Sequence, residues 1–126
     1  MKFQIVHSIL AAVMLLSACS TPSVVQATPT FDPMQEQGYA VYKLRCAQCH
    51  ALDPDATVIG PSLAGIATRA ESRVPGYDAR AYIETSILYP KDFLVDGFAD
   101  TMPTNFGKEL TSEEFAAVVA FLMTQK

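Results

Sequence analysis

Near the C-terminus the apolar positions Phe115, Val118, Val119, Leu122 and Met123 recur at i, i+3, i+4, i+7 and i+8, one face of an amphipathic helix. Thr111-Ser112-Glu113-Glu114 just ahead of them is a capping box, in which the first and last side chains satisfy each other's backbone N–H groups. Asp32-Pro33-Met34-Gln35 gives a second helix start, with an N-cap, proline at the first helical position and Gln at the third. That helix is expected to run to about Arg45, with Gly38, Tyr42 and Cys46 on one face at i, i+4 and i+8. Residues 79–88 predict a third helix, with Ile83 and Ile87 one turn apart and Pro90 stopping it. No stretch alternates as a strand does, and Phe93-Leu94-Val95-Asp96-Gly97-Phe98 is at best a brief extended piece. The pattern predicts an all-α domain over residues 32–126.

Upstream the pattern changes twice. Residues 1–18 read as a signal peptide: Lys2 gives a thin positive start, and residues 5–18 are apolar except for His7, Ser8 and Ser17. The stretch is shorter than the about 20 residues of a comfortable membrane span. Residues 19–31 then hold Cys19 and a polar, proline-punctuated tether without a helical stripe, whose 11 residues from 20 to 30 would reach roughly 35 Å when extended.

The candidate chemistry lies at the end of the first predicted helix, in Cys46-Ala47-Gln48-Cys49-His50. Two cysteines three positions apart stand about one helical turn from each other, so both sulfurs can meet one edge of a planar macrocycle, and the adjoining histidine can turn beneath it toward a metal. This is the c-type haem attachment signature. A structural zinc site needs four ligands, and beyond these three only Cys19 and His7 are available, both in the leader region. A thioredoxin-like dithiol expects a strand-helix-strand context that nothing upstream of Cys46 supplies.

Iron held by one histidine needs a second axial group to pass electrons without binding oxygen or peroxide. Of the five methionines, Met1 and Met14 fall in the leader, Met34 in the first helical turn and Met123 on the last helix's stripe. Met102 is left, in the polar segment Asp100-Thr101-Met102-Pro103-Thr104-Asn105, where Pro103 biases it toward extended backbone. The alternative is that Met102 plugs a loop against the core.

These segments resemble, in order from about Glu36 to Thr124, the class I c-type cytochromes, small monohaem electron carriers. The resemblance implies three to five helices wrapped around one covalent haem c. Gly60-Pro61-Ser62-Leu63-Ala64-Gly65 resembles the family's Gly-Pro-x-Leu-x-Gly segment, which gives Pro61 the role of accepting a hydrogen bond from the ligand histidine. Arg69 falls where the family often has an arginine near a haem propionate, and Pro75-Gly76-Tyr77 matches the loop closing the haem floor. Gly38 and Tyr42 match a glycine and an aromatic that pack on the last helix, with Phe121 as partner. Two departures concern the propionates: there is no tryptophan, and Ala79 stands where some relatives have tyrosine. Tyr77, Tyr82 and Arg80 are the candidates to compensate. Leu16-Ser17-Ala18-Cys19 resembles a bacterial lipobox, which implies acylation of Cys19 and a location on a bacterial membrane, facing the periplasm or cell exterior. Residues 86–90 and 102–107 resemble cytochromes of quinol-oxidising complexes, including the lipoprotein subunit of alternative complex III, and cytochrome domains of terminal oxidases.

Charge narrows the partners. The chain carries 9 Lys+Arg against 13 Asp+Glu, net −4, and loss of Lys2 with the leader makes it more acidic. An acidic domain disfavours nucleic acid and favours a basic or nearly neutral redox partner. The reading is therefore an electron carrier, not an enzyme and without a small-molecule substrate. Two alternatives remain: a peroxidase or gas sensor with an open axial site, and a dithiol oxidoreductase.

Overall fold

The computed structural model describes residues 30–126. The signal peptide and Cys19 lie outside the described residues.

Helix α1 spans Pro33–Val41. It begins where the capping box predicts: the Asp32 carboxylate accepts from the Gln35 backbone N–H at 2.8 Å, and the Asp32 N–H donates to the Gln35 side chain at 3.1 Å. The regular helix ends earlier than the expected Arg45. Tyr42–Cys46 form a wider π turn, closed by the Ala47 N–H on the Tyr42 carbonyl at 2.9 Å. A π turn holds an extra residue per turn, so the residues beyond it are rotated from their α-helical positions. Within the turn Leu44 is 72% exposed, while Cys46 stays partly buried. Helix α2, Ile66–Ala70, follows Gly65 at φ +64°, a backbone angle that favours glycine. Helix α3 is Ala79–Leu88, the predicted span, capped by Asp78 accepting from the Ala81 N–H at 2.7 Å. Helix α4, Phe106–Glu109, is one turn. Helix α5, Ser112–Leu122, starts at the predicted Thr111 box.

Among the described residues there is no strand, and residues 93–98 form bends and turns. The two short helices were not foreseen, because four or five residues carry too little periodicity to register. The fold is the all-α one expected, with five helices.

The central packing is α1 across α5. Gly38 allows it: a Cβ there would lie 2.5 Å from the Ala117 carbonyl carbon and 2.7 Å from the Phe121 Cβ. Phe121 then packs beneath Tyr42 and Tyr39, with ring centroids 5.6 and 5.3 Å away. Phe31, assigned by sequence to the end of the tether, joins this cluster edge-on to Phe121 at 5.5 Å. Val118, Val119 and Phe121 are the largest fully buried side chains, all from α5. Against α3 the core adds Tyr82, Ile83 and Ile87.

Candidate haem site

A cavity of about 430 Å³ opens between the π turn, the segment after the Cys-x-x-Cys-His motif, α3 and the loop before α4. Cys46, Cys49, His50, Pro61, Arg69 and Met102 all line it. Six residues spread over 57 positions of sequence are thus brought to one wall system.

The histidine is held from three sides. Its Nδ1 lies 2.8 Å from the Pro61 carbonyl. A carbonyl can only accept, so Nδ1 carries the proton, and in the neutral ring Nε2 keeps its lone pair. The Pro61 carbonyl is aimed by backbone pairing: the Ile59 and Gly60 N–H groups both donate to the Cys49 carbonyl, at 3.2 and 2.8 Å, and Leu63 donates to Ala51 at 2.8 Å. Gly60 lies flat against the imidazole, where a Cβ would come within 2.8 Å of Nδ1 and 3.0 Å of Nε2. From below, the buried Tyr42 hydroxyl donates to the His50 carbonyl at 2.7 Å. Burial, then the neighbouring Cys46 and Tyr39, raise the Tyr42 pKa, which keeps the hydroxyl a donor.

Burial also pushes the Cys46 thiol up to about 11, with Cys49 adding to the effect. A redox dithiol needs a depressed pKa on its attacking cysteine, so this environment works against the dithiol reading. Nor do three or more His, Cys, Asp or Glu side chains converge as a metal-binding group among the described residues. Two free thiols, one imidazole with an available Nε2, and a thioether from a separate loop on a largely aliphatic and aromatic cavity are the donor set a covalent haem requires.

The arginines and tyrosines are arranged differently from the expectation. Arg69 lines the cavity, but its Nη2 donates to the Ser62 carbonyl at 2.7 Å and its Nη1 to the Ala64 carbonyl. It staples the loop that carries Pro61. Tyr77 is not on the cavity wall; it is 39% exposed and edges a separate crevice of about 40 Å³. Gly76, just before it, sits at φ +86°. Arg80 is exposed and paired with Glu84 at 3.3 Å. Tyr82 does line the cavity, buried and edge-on to Phe93 at 5.6 Å. Leu122, read from its stripe as core alone, reaches the cavity as well.

Comparison with known proteins fits this geometry: the profile of the family described as cytochrome c matches residues 35–126. The chain belongs to the cytochrome c family. Among curated relatives of this cytochrome, cytochrome c 2.1 of Caenorhabditis elegans is 48% identical over 62 residues, 48% of the chain and 56% of the relative. Cytochrome c type-1 of Ascaris suum is 51% identical over 43 residues, 34% of the chain and 38% of the relative. Cytochrome c 2.1 of Caenorhabditis briggsae is 48% identical over 46 residues, 36% of the chain and 41% of the relative. The chain therefore spans between 38% and 56% of the length of these relatives. The family's cofactor is covalently bound c-type haem, and its function is electron transfer.

Proposed function

We propose that this chain is a membrane-anchored monohaem electron carrier, joined to haem c through Cys46 and Cys49, with His50 and Met102 as the axial pair. The observation that carries the reading is the presence of the His50 imidazole and the Met102 thioether on one cavity, with Nδ1–H committed to Pro61. The bound group supplies a one-electron Fe(II)/Fe(III) couple, its potential raised by a methionine ligand.

The protein's own part is orientation and exclusion of water. Pro61 fixes the imidazole's tautomer and rotation, Gly60 lets the ring lie against backbone, and Tyr42 ties His50 to the α1–α5 crossing. Pro103 biases Met102 toward extended backbone, in the loop ahead of α4. Leu44 and Ile59 are exposed and line the cavity with uncharged Gln48, an apolar rim suited to brief contact with a redox partner that is basic or neutral. With His50 and Met102 both holding the bound group, the carrier would need no substrate pocket and would perform no catalysis.

Cys19 would carry the lipid, and the tether would let the domain swing over the membrane on the periplasmic or outer face of a bacterial cell. Raised effective concentration then favours docking to a neighbour. No helix among the described residues is long and apolar enough to cross a membrane, which leaves anchoring to the N-terminal segment. The role is a tethered shuttle or a subunit of a respiratory or photosynthetic oxidoreductase, similar to the alternative complex III lipoprotein.

The absorption spectrum tests the axial assignment. The oxidised holoprotein is expected to be low-spin with the weak red band of an iron–methionine bond, lost in Met102→Ala. High-spin iron in the unmodified protein contradicts the assignment and favours the peroxidase or sensor reading. Detergent extraction followed by native electrophoresis separates shuttle from subunit, and Cys19→Ser is expected to free the protein from the membrane.

A further inference from the structure

We propose that Arg73 is the cation that pairs with a carboxylate of the bound haem, a role the family resemblance gives to Arg69. The proposal rests on the haem reading above. Its basis is the account of every charged or titratable side chain facing the cavity. Arg45 pairs with Glu109 at 3.8 Å. Arg69 has no ion pair among the described residues, but both its terminal nitrogens donate to the carbonyls of Ser62 and Ala64, which fixes it against that loop. His50 is committed to Pro61. Cys46 and Cys49 are the attachment thiols, and Tyr82 presents its ring.

Arg73 is left. It lines the same cavity and is partly buried, yet among the described residues its guanidinium has no ion pair and no hydrogen bond. Its Cζ stands 6.0 Å from the centroid of Tyr82, at the outer edge of cation–π range. The turn after α2 holds its backbone, with the Arg73 N–H on the Ala70 carbonyl at 3.3 Å. A guanidinium beside an apolar wall is costly without an anion. Haem carries two propionate carboxylates, and a free guanidinium fork can bind one of them through two parallel N–H donors. The missing tryptophan and the outward Tyr77 leave room for this substitute.

The test is a redox titration of the holoprotein and its Arg73→Gln, Arg73→Lys and Arg69→Gln variants from about pH 5 to about pH 8, where a desolvated carboxylate without its cation titrates. In Arg73→Gln the bared negative charge favours ferric iron, so the potential falls at the alkaline end and recovers as protonation removes the charge at the acid end. Arg73→Lys keeps the charge but not the fork and is expected to lie between Arg73→Gln and wild type. Arg69→Gln is expected to lower thermal stability more than it alters the pH profile. An Arg73→Gln curve superimposed on wild type, with haem content and low-spin spectrum intact, overturns the proposal while leaving the haem reading standing. Should Arg73→Gln fail to mature, Arg73→Lys decides: a wild-type profile overturns the proposal, a displaced one supports it. A wild-type preparation without haem absorption would instead sink the underlying reading.

Discussion

His50 is oriented by contacts that the sequence expresses unequally. The Pro61 carbonyl was legible through a six-residue segment whose spacing resembles that of the family, and it is within hydrogen-bond distance of Nδ1. The Tyr42 hydroxyl was not, because nothing in the helical pattern distinguishes a tyrosine that packs its ring from one that also donates to a carbonyl eight residues further along the chain. Gly60 shows the same limit. Its motif was visible, but only in the folded chain is it evident that the missing Cβ makes room for the imidazole. Gly60→Ala should therefore tilt the ring, lengthen the Pro61 hydrogen bond and cost about 1–3 kcal/mol, the range for overpacking. Thermal unfolding of the holoprotein measures the cost, and growth of a high-spin component reports the tilted ligand. An unchanged spectrum and midpoint would mean that the loop yields freely. The resemblance singled out Arg69 and passed over Arg73; that Arg69 donates to the Ser62 and Ala64 carbonyls is visible only in the structure.

The helices that were foreseen are those that state their ends chemically. Asp32 with Gln35, Asp78 before Ala79, and Thr111 with Glu114 each satisfy orphan N–H groups, and the starts of α1, α3 and α5 fall there. The π turn after α1 and the one-turn α4 were illegible because they depend on what packs around them. The crossing of α1 and α5 places its tightest demand on Gly38, where the neighbouring group is backbone and cannot rotate away. Gly38→Ala should cost about 3 kcal/mol, the upper end of overpacking, measurable as a lowered denaturant midpoint. Glu114 adds a pH dependence. Hydrogen bonds from the Thr111 backbone N–H, then its hydroxyl, hold the carboxyl below its ordinary value, so the ionised form is favoured in the fold. That stabilisation is fully present above the unfolded carboxylate value and disappears as pH falls through the depressed folded one. Glu114→Gln should show a smaller loss of stability between neutral and acid pH than wild type in parallel denaturation curves. Parallel acid limbs would remove the carboxylate from the cap.

At the scale of the whole molecule, the core is thin and one-sided. Its three largest fully buried side chains come from α5 alone, and the space between α3, the motif and the Met102 loop is cavity rather than packed protein. A domain of about this size buries a modest share of its surface without help. A haem bound in this cavity would act as a core element between the motif, α3 and the Met102 loop, all of which line it. The apoprotein is therefore expected to be largely unfolded, with most helical circular dichroism absent; a native-like helical spectrum without haem would show that the five helices pack unaided. The all-α class and the attachment motif were legible in sequence because they are local patterns. The convergence of Met102 and His50 on one cavity was legible only by elimination among five methionines.

Covalent attachment at Cys46 and Cys49 underlies every other statement about function, and peptide mass analysis of the protein from a cytochrome-maturing host tests it most directly. The peptide containing both cysteines and His50 is expected to carry the added mass of one haem and no alkylatable thiol. The same peptide at its unmodified mass, with both thiols open to alkylation, would contradict the account.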